Sequence, residues 1–273
     1  MSKQETKRLR PVVKIHGGKH YLNKWILDNF PNNYEEYVYC EPFGGAGSVL
    51  LNKQSNPQEF YNDLDLGLVQ IFRSLRDDPT SFISRLKKVK YQESSFDRYL
   101  NKQKKENYSD YVDHAICEFV VRRMSRGGLG KTFAWSDRQR GGKPGDVNAW
   151  DTIISSLPDI SERISNIIIT NKNTIDIIQS FNDPKCLIYL DPPYLPEVRV
   201  TKKVYNYEMT SEQHLKLVKT INSFKSKVLI SGYPSRLYDK ILKNWTRIEK
   251  PVVNHSSQTK TKPVKTEALW MNF

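Results

Sequence analysis

Four consecutive residues, Asp191-Pro192-Pro193-Tyr194, follow directly on the apolar run Cys186-Leu187-Ile188-Tyr189-Leu190. Two prolines remove backbone donors and fix φ, so their carbonyls can point outward as acceptors. Asp191 adds a carboxylate and Tyr194 a flat ring. Acceptors beside a stacking platform suit a planar ring that carries an amino group; a rigid exit turn with an exposed aspartate is the plainer alternative. A second cluster is Pro42-Phe43-Gly44-Gly45-Ala46-Gly47. Glycines there let bare backbone approach a ligand without a Cβ clash. Asp63 comes about 20 residues later, a spacing at which a carboxylate can take both hydroxyls of a ribose. A mere tight turn or a dinucleotide fold is also compatible, although G-G-A-G is not G-x-G-x-x-G. No Gly-Lys-Ser/Thr follows to make a phosphate loop.

Elements must hold these clusters in place. Glu36 to Glu41 and Glu59 to Asn62 read as short strands, and Cys186 to Leu190 as a strand covered on both faces. Ser48 to Lys53 reads as a helix start. Helical spacing covers Leu68 to Leu75, Ser81 to Val89, His114 to Met124 and Thr174 to Phe181. Ser211 to Phe224 reads as a helix that buries Leu215, Val218 and Ile221. Ile167 to Ile169 and Lys227 to Ser231 read as further strands. Thr246 to Val253 and Glu267 to Phe273 read as an antiparallel edge pair joined by a polar loop over Asn254 to Thr266. Strands alternating with helices on either side of a differently built middle imply a parallel α/β sheet with an insertion.

The 273 residues include 43 Lys+Arg against 30 Asp+Glu, a formal charge of +13. A hydrophobic share of 38% argues for a packed core and against a wholly disordered chain. No apolar run approaches the ~18 residues of a membrane span, and the polar stretch Met1 to Arg10 does not read as a secretory signal. Cys40, Cys117 and Cys186 lie far apart, which points to reduced, buried thiols in a cytoplasmic protein and away from disulfides or zinc. The charge is concentrated. Between residues 119 and 145 stand Arg122, Arg123, Arg126, Lys131, Arg138, Arg140 and Lys143 against the single acid Asp137, with six glycines, Phe133 and Trp135. A solvated loop is one reading; a surface that tracks phosphates, with aromatics interleaved, is the sharper one.

Five segments, taken in order, resemble those of the Dam-like (D12) class of amino-methyltransferases that act on adenine in DNA. Lys14-Ile15-His16-Gly17-Gly18-Lys19 resembles the first cofactor motif. Glu41-Pro42-Phe43-Gly44-Gly45-Ala46-Gly47-Ser48-Val49 resembles the methionine-binding loop, and Asn62-Asp63-Leu64-Asp65 the acidic segment that holds the nucleoside. Asp191 to Tyr194 is similar to the catalytic motif, and Lys265 to Asn272 to the last strand. The resemblance covers most of the chain and is weakest over 72–150.

This resemblance implies an α/β fold: a Rossmann-like S-adenosylmethionine-dependent methyltransferase sheet with an inserted, mainly helical target-recognition domain. The insertion would span 72–150, between catalytic parts at 1–71 and 151–273. The implied reaction moves a methyl group from S-adenosyl-L-methionine, with no metal, to the exocyclic amine of an adenine flipped out of double-stranded DNA. The implied enzyme acts as a monomer or weak dimer on DNA and has no membrane partner. By the family pattern Ile15, Lys19, Phe43, Gly44, Gly45, Asp63 and Asp191 surround the cofactor. Asp191 and the Pro192 carbonyl take the amine's hydrogen bonds, and Tyr194 stacks on the base. Where close relatives often place an aromatic, this chain has Ile15 and His16; Ile15 can pack but not stack, and His16 reads as structural or solvent-facing. The seven basic residues above become the DNA-binding set. A hairpin over Trp135 to Trp150 would present Arg138 or Arg140 to a guanine, with Lys131 on phosphate. Three other readings compete: an rRNA guanine methyltransferase, a protein glutamine methyltransferase, which usually has Asn at the Asp191 position, and a catalytically inactive DNA-binding regulator.

Overall fold

The computed structural model describes residues 8–15, 17–198, 207–253 and 264–273, without the Arg140 side chain. His16 and most of the expected polar loop, residues 254–263, therefore lie outside the described residues. In chain order the elements begin with α1 (Asn23–Leu27), β1 (Val38–Glu41), β2 (Glu59–Asn62), α2 (Leu66–Asp77), α3 (Pro79–Lys87), α4 (Glu93–Lys104) and α5 (Tyr111–Met124). There follow β3 (Gln139–Arg140), β4 (Lys143–Pro144), α6 (Gly145–Ile164), β5 (Ile168–Thr170), α7 (Thr174–Gln179) and β6 (Cys186–Leu190). The chain closes with α8 (Ser211–Ile221), β7 (Lys227–Gly232), α9 (Arg236–Ile241), β8 (Thr246–Val253) and β9 (Val264–Met271). Two compact units result. One comprises Met1–Leu27, Gly45–Gln54 and Asp65–Asn171, the other Asp28–Gly44, Ser55–Leu64 and Lys172–Phe273.

In the second unit the strand order is β2-β1-β6-β7-β9-β8. β2, β1, β6 and β7 are mutually parallel, and β9 runs antiparallel to β7 and β8. All five residues of β6 are buried, as a continuous apolar run in a parallel sheet requires. Ile188, Leu190, Val228, Ile230 and Trp270 form one face of the core with Leu217, Val218 and Ile221 of α8. Leu217 takes the inner place expected of Leu215. Helix α8 opens on a capping box between Thr210 and Gln213. Because the chain leaves β1 for β2 on one side and later returns to β6 on the other, the carboxyl ends of β1 and β6 flank a topological switch point. Open α/β sheets bind ligands at such points.

The first unit is helical. Helix α5 is buried on most of its circumference and packs against α2, α3 and α4, and α6 packs on α2 and α3. Asp65 caps α2 by accepting from Leu68 N at 3.3 Å. The hairpin expected over Trp135 to Trp150 is shorter than that: only β3 and β4 pair, with Arg140 opposite Lys143 across Gly141-Gly142, and Gly145 to Trp150 form the first turns of α6 instead. Both glycines have positive φ, at 59° and 75°, which a two-residue hairpin turn demands. Ser48 to Lys53 is a run of turns, not a helix start. There Leu51 N and Lys53 N bond to the Gly47 and Val49 carbonyls, and Asn52 donates to the carbonyls of Ser48 and Leu9 and accepts from Leu9 N.

Candidate active site

In the second unit the loop after β1 is pinned by Asn62 at the end of β2. Gly44 N donates to Asn62 O at 2.8 Å, and Asn62 Nδ2 donates to the Pro42 and Lys172 carbonyls at 3.1 Å each. Behind the loop stands the ring of Tyr61; a Cβ on Gly44 would lie 2.2 Å from it. That approach is open to glycine alone. Glu41 pairs with Tyr61 in register, so half-buried Asp63 comes level with Phe43 as the two strands end. Phe43 itself packs, partly buried, against the core cluster that includes Cys40 and Ile188.

Asp191 leaves the end of β6 half-buried, and Ser231 of β7 donates to its Oδ1 at 2.9 Å. Pro192 is buried. Tyr194 is not a free-standing platform: it is 5% exposed, donates its hydroxyl to Glu267 Oε2 at 2.6 Å, and meets Tyr233 edge-on at 4.5 Å. Burial first, and then the charges of Asp191 and Glu267, raise its pKa well above the usual tyrosine value, so the hydroxyl stays protonated. Glu267 stands in β9 between the polar pair Lys265-Thr266 and the apolar run Ala268 to Met271. A similar pair stands at the end of β1, where Tyr39 donates to Glu41 Oε1 at 2.6 Å.

In the first unit Lys19 is 4% exposed and donates its Nζ to the Gly17 carbonyl at 2.8 Å. Gly45 has φ of 52°, and a Cβ there would meet Ile15 Cδ1 at 2.9 Å. Ile15, Gly18, Ala46 and Ser48 share the wall of a cavity of about 490 Å³ with Lys14 and Arg123.

Six of the seven basic residues, all but Arg140, have described side chains and separate into two groups. Arg122 is buried, not a surface cation. Its Nη2 lies 2.8 Å from Asp65 Oδ2 and 3.0 Å from Glu118 Oε2, and its Nε donates to Glu118 at 3.1 Å. Burial opposes its charge, yet Asp65 and Glu118 hold its pKa above the ordinary arginine value. Arg123 is likewise turned inward and donates to the carbonyls of Pro11 and Val12. By contrast, Arg126, Lys131, Arg138 and Lys143 are exposed, Lys143 in contact with Asp151 at 2.6 Å. Trp135, 49% exposed, stacks at 24° on Phe133. Among the described residues no group of three or more His, Cys, Asp or Glu side chains is placed to hold a metal ion.

Over residues 16–255 the sequence matches the D12 class N6 adenine-specific DNA methyltransferase family. The chain belongs to this family. The D12 methyltransferase is 26% identical over 276 residues to the DNA adenine methylase of Haemophilus influenzae, covering 95% of this chain and 92% of that protein. It is 23% identical to the type II methyltransferase M.CviBI of Paramecium bursaria Chlorella virus NC1A, over 85% of this chain and 87% of that one. With the type II methyltransferase M1.LlaDCHI of Lactococcus lactis subsp. cremoris it shares 25% identity, over 87% and 86%. It is thus an adenine-specific DNA methyltransferase, and the family implies S-adenosylmethionine as methyl donor and DNA as substrate. The expected α/β sheet with its antiparallel end agrees with that assignment. No described helix is long and apolar enough to cross a membrane.

Proposed function

We propose that this methyltransferase modifies an adenine flipped from double-stranded DNA, with Asp191, Pro192 and Tyr194 as the residues that touch the base. The observation that carries this reading is the position of Asp191: it leaves the carboxyl end of a fully buried strand, beside the strand whose loop ends in Gly44. An aromatic amine is a poor nucleophile because its lone pair is delocalised into the ring. Hydrogen bonds from its two hydrogens to the Asp191 carboxylate and the Pro192 carbonyl favour a pyramidal nitrogen and aim its lone pair. Such positioning supplies roughly 7–11 kcal/mol in well-oriented systems. Tyr194, whose hydroxyl is fixed through Glu267, is proposed to stack on the base.

Ile15, Lys19, Phe43, Gly44, Gly45, Asp63 and Asp191 are proposed to hold S-adenosylmethionine. The residues fit such a group: a loop of bare backbone ends one strand, and an acid ends the next, level with it. When bound, the cofactor supplies an electrophilic methyl group on a sulfonium. Asp63 would accept from ribose hydroxyls, and Lys19, fixed on Gly17 O, would present its ammonium to a carboxylate. The 72–150 segment is proposed as the target-recognition part between catalytic parts 1–71 and 151–273. Arg126, Lys131, Arg138, Arg140 and Lys143 are its DNA contacts, and Arg122 and Arg123 serve inside the fold. The enzyme is proposed to work in the cytoplasm as a monomer or weak dimer on its substrate. The test is transfer of a radiolabelled methyl group to duplex DNA by wild type and Asp191→Ala. The variant is expected to retain the fold by circular dichroism and to lose transfer; near-normal turnover would overturn the assignment.

A further inference from the structure

We propose that Ser231, backed by Tyr189, is a positioning residue that sets the orientation of the Asp191 carboxylate. The inference rests on the role proposed for Asp191 above. Register places the three residues together. Leu190 is paired with Ile230 on adjacent parallel strands, so the next residues, Asp191 and Ser231, stand side by side. Alternation then turns Ile188, Leu190, Val228 and Ile230 into the core face and leaves Tyr189, Asp191 and Ser231 on the opposite one.

The hydrogen bonds follow a single direction. Ser231 Oγ lies 2.9 Å from Asp191 Oδ1, 3.2 Å from Leu190 O and 3.1 Å from the Tyr189 hydroxyl. A serine has one proton to give. With that proton directed to the carboxylate, its closest acceptor, Ser231 must accept from Tyr189. The sequence is therefore Tyr189 O–H to Ser231 Oγ, then Ser231 O–H to Asp191 Oδ1. Ser231 is 2% exposed and Tyr189 3%, so no solvent exchange disturbs either donor. Burial, and then the Asp191 charge, hold Tyr189 well above the usual phenol range, so it remains a donor throughout the working pH range. Tyr194, Glu267 and Tyr238 also feel or exert the field around Asp191, and Ser231 adds a direct hydrogen bond to Oδ1. Pinning one oxygen fixes the plane of the carboxylate and hence the direction in which an amine proton is accepted. Chemistry that depends on that direction loses rate, not binding, when the pin is removed.

The experiment compares wild type, Ser231→Ala, Tyr189→Phe, the double variant and Asp191→Ala. Single-turnover methylation is measured together with DNA and S-adenosylmethionine affinity and the 2-aminopurine fluorescence of a flipped target. Ser231→Ala is expected to lower the methylation rate about ten- to a hundredfold, the scale of a small misplacement at a reacting centre, with affinities and the flipping signal within about twofold of wild type. Tyr189→Phe is expected to cost about fivefold, the equivalent of one neutral hydrogen bond. In the double variant Tyr189→Phe should add nothing to Ser231→Ala, because it acts only through the serine; additive losses would mark a general packing effect and overturn the proposal. An inactive Asp191→Ala beside a fully active Ser231→Ala overturns the positioning role alone. An active Asp191→Ala overturns the reading on which it rests. Should Ser231→Ala fold poorly, Tyr189→Phe decides: a normal rate there refutes the relay.

Discussion

Replacing Arg122 by methionine separates a structural cation from a DNA-binding one. The side chain joins Asp65, which caps α2, to Glu118, one turn earlier on its own helix. Methionine keeps the apolar stem and removes only the guanidinium. Two carboxylates, with side chains 12% and 8% exposed, are then left facing each other without it. Breaking a buried ion pair from one side costs about 3–5 kcal/mol. At roughly 2–4 °C per kcal/mol for a chain of this size, the midpoint of thermal unfolding should fall by about 6–20 °C. A triple variant, Asp65→Asn, Glu118→Gln and Arg122→Met, should recover much of the loss, since neutral groups need no counter-charge. The second readout is DNA affinity across a salt series at a temperature where the variant is folded. Arg122→Met should leave the slope unchanged, whereas losing one phosphate contact lowers it by about 0.9. A stable variant with a reduced slope would refute the buried triad and return Arg122 to the DNA surface.

Other outcomes follow from the same geometry. Lys131→Ala should weaken binding to cognate and scrambled duplexes alike and reduce the salt slope by about 0.9, while Arg138→Ala should cost about 1–3 kcal/mol at the preferred site and relax specificity there. Gly44→Ala drives a methyl group into Tyr61, and overpacking of this kind costs about 1–3 kcal/mol; calorimetry should show weaker S-adenosylmethionine binding together with a lower unfolding temperature. Gly45→Val meets both a positive φ and Ile15, and should reduce cofactor affinity in the same assay. Burial raises the thiol pKa of Cys40, Cys186 and Cys117, the last to about 12; thiolate is therefore scarce at pH 8, and the native protein should react slowly with a disulfide reagent until it is denatured.

Much of this was legible in the sequence because local chemistry and tertiary structure agree. The run Cys186 to Leu190 could only be a strand covered on both faces, and the Gly141-Gly142 pair between basic residues could only turn tightly. The failures are equally physical. Ser48 to Lys53 keeps isolated helical-type bonds, Leu51 N to Gly47 O and Lys53 N to Val49 O, without running on as a helix, and its Asn52 bonds to Leu9, 43 residues away in sequence. Helix α6 gives a weak signal because it opens on Gly145-Asp146, inside the stretch expected as a hairpin, and carries Pro158, and α4 because its residues are mainly polar. Arg122 shares a basic stretch with its neighbours along the chain, but its spacing of four from Glu118 is that of an ion pair on one helical face. Ser231 and Glu267 carry a weaker sign: each is a polar residue adjoining a buried apolar run, Val228 to Ile230 and Ala268 to Met271. Only the register of β6, β7 and β9 reveals which site residues they meet.

One end of the sheet carries a consequence for handling the protein. Strand β8 is the outermost, largely exposed, and bears Arg247, Glu249, Lys250 and Pro251. An open edge is a template on which a further strand can dock, and charges with an interposed proline are what blunt it. Arg247 is further anchored to Asp239 at 3.2 Å and lies over the Trp270 ring, so it cannot swing aside cheaply. Substitutions that make this strand smoother and more apolar, for instance in a search for greater stability, would trade a self-terminating edge for one prone to amyloid-like stacking.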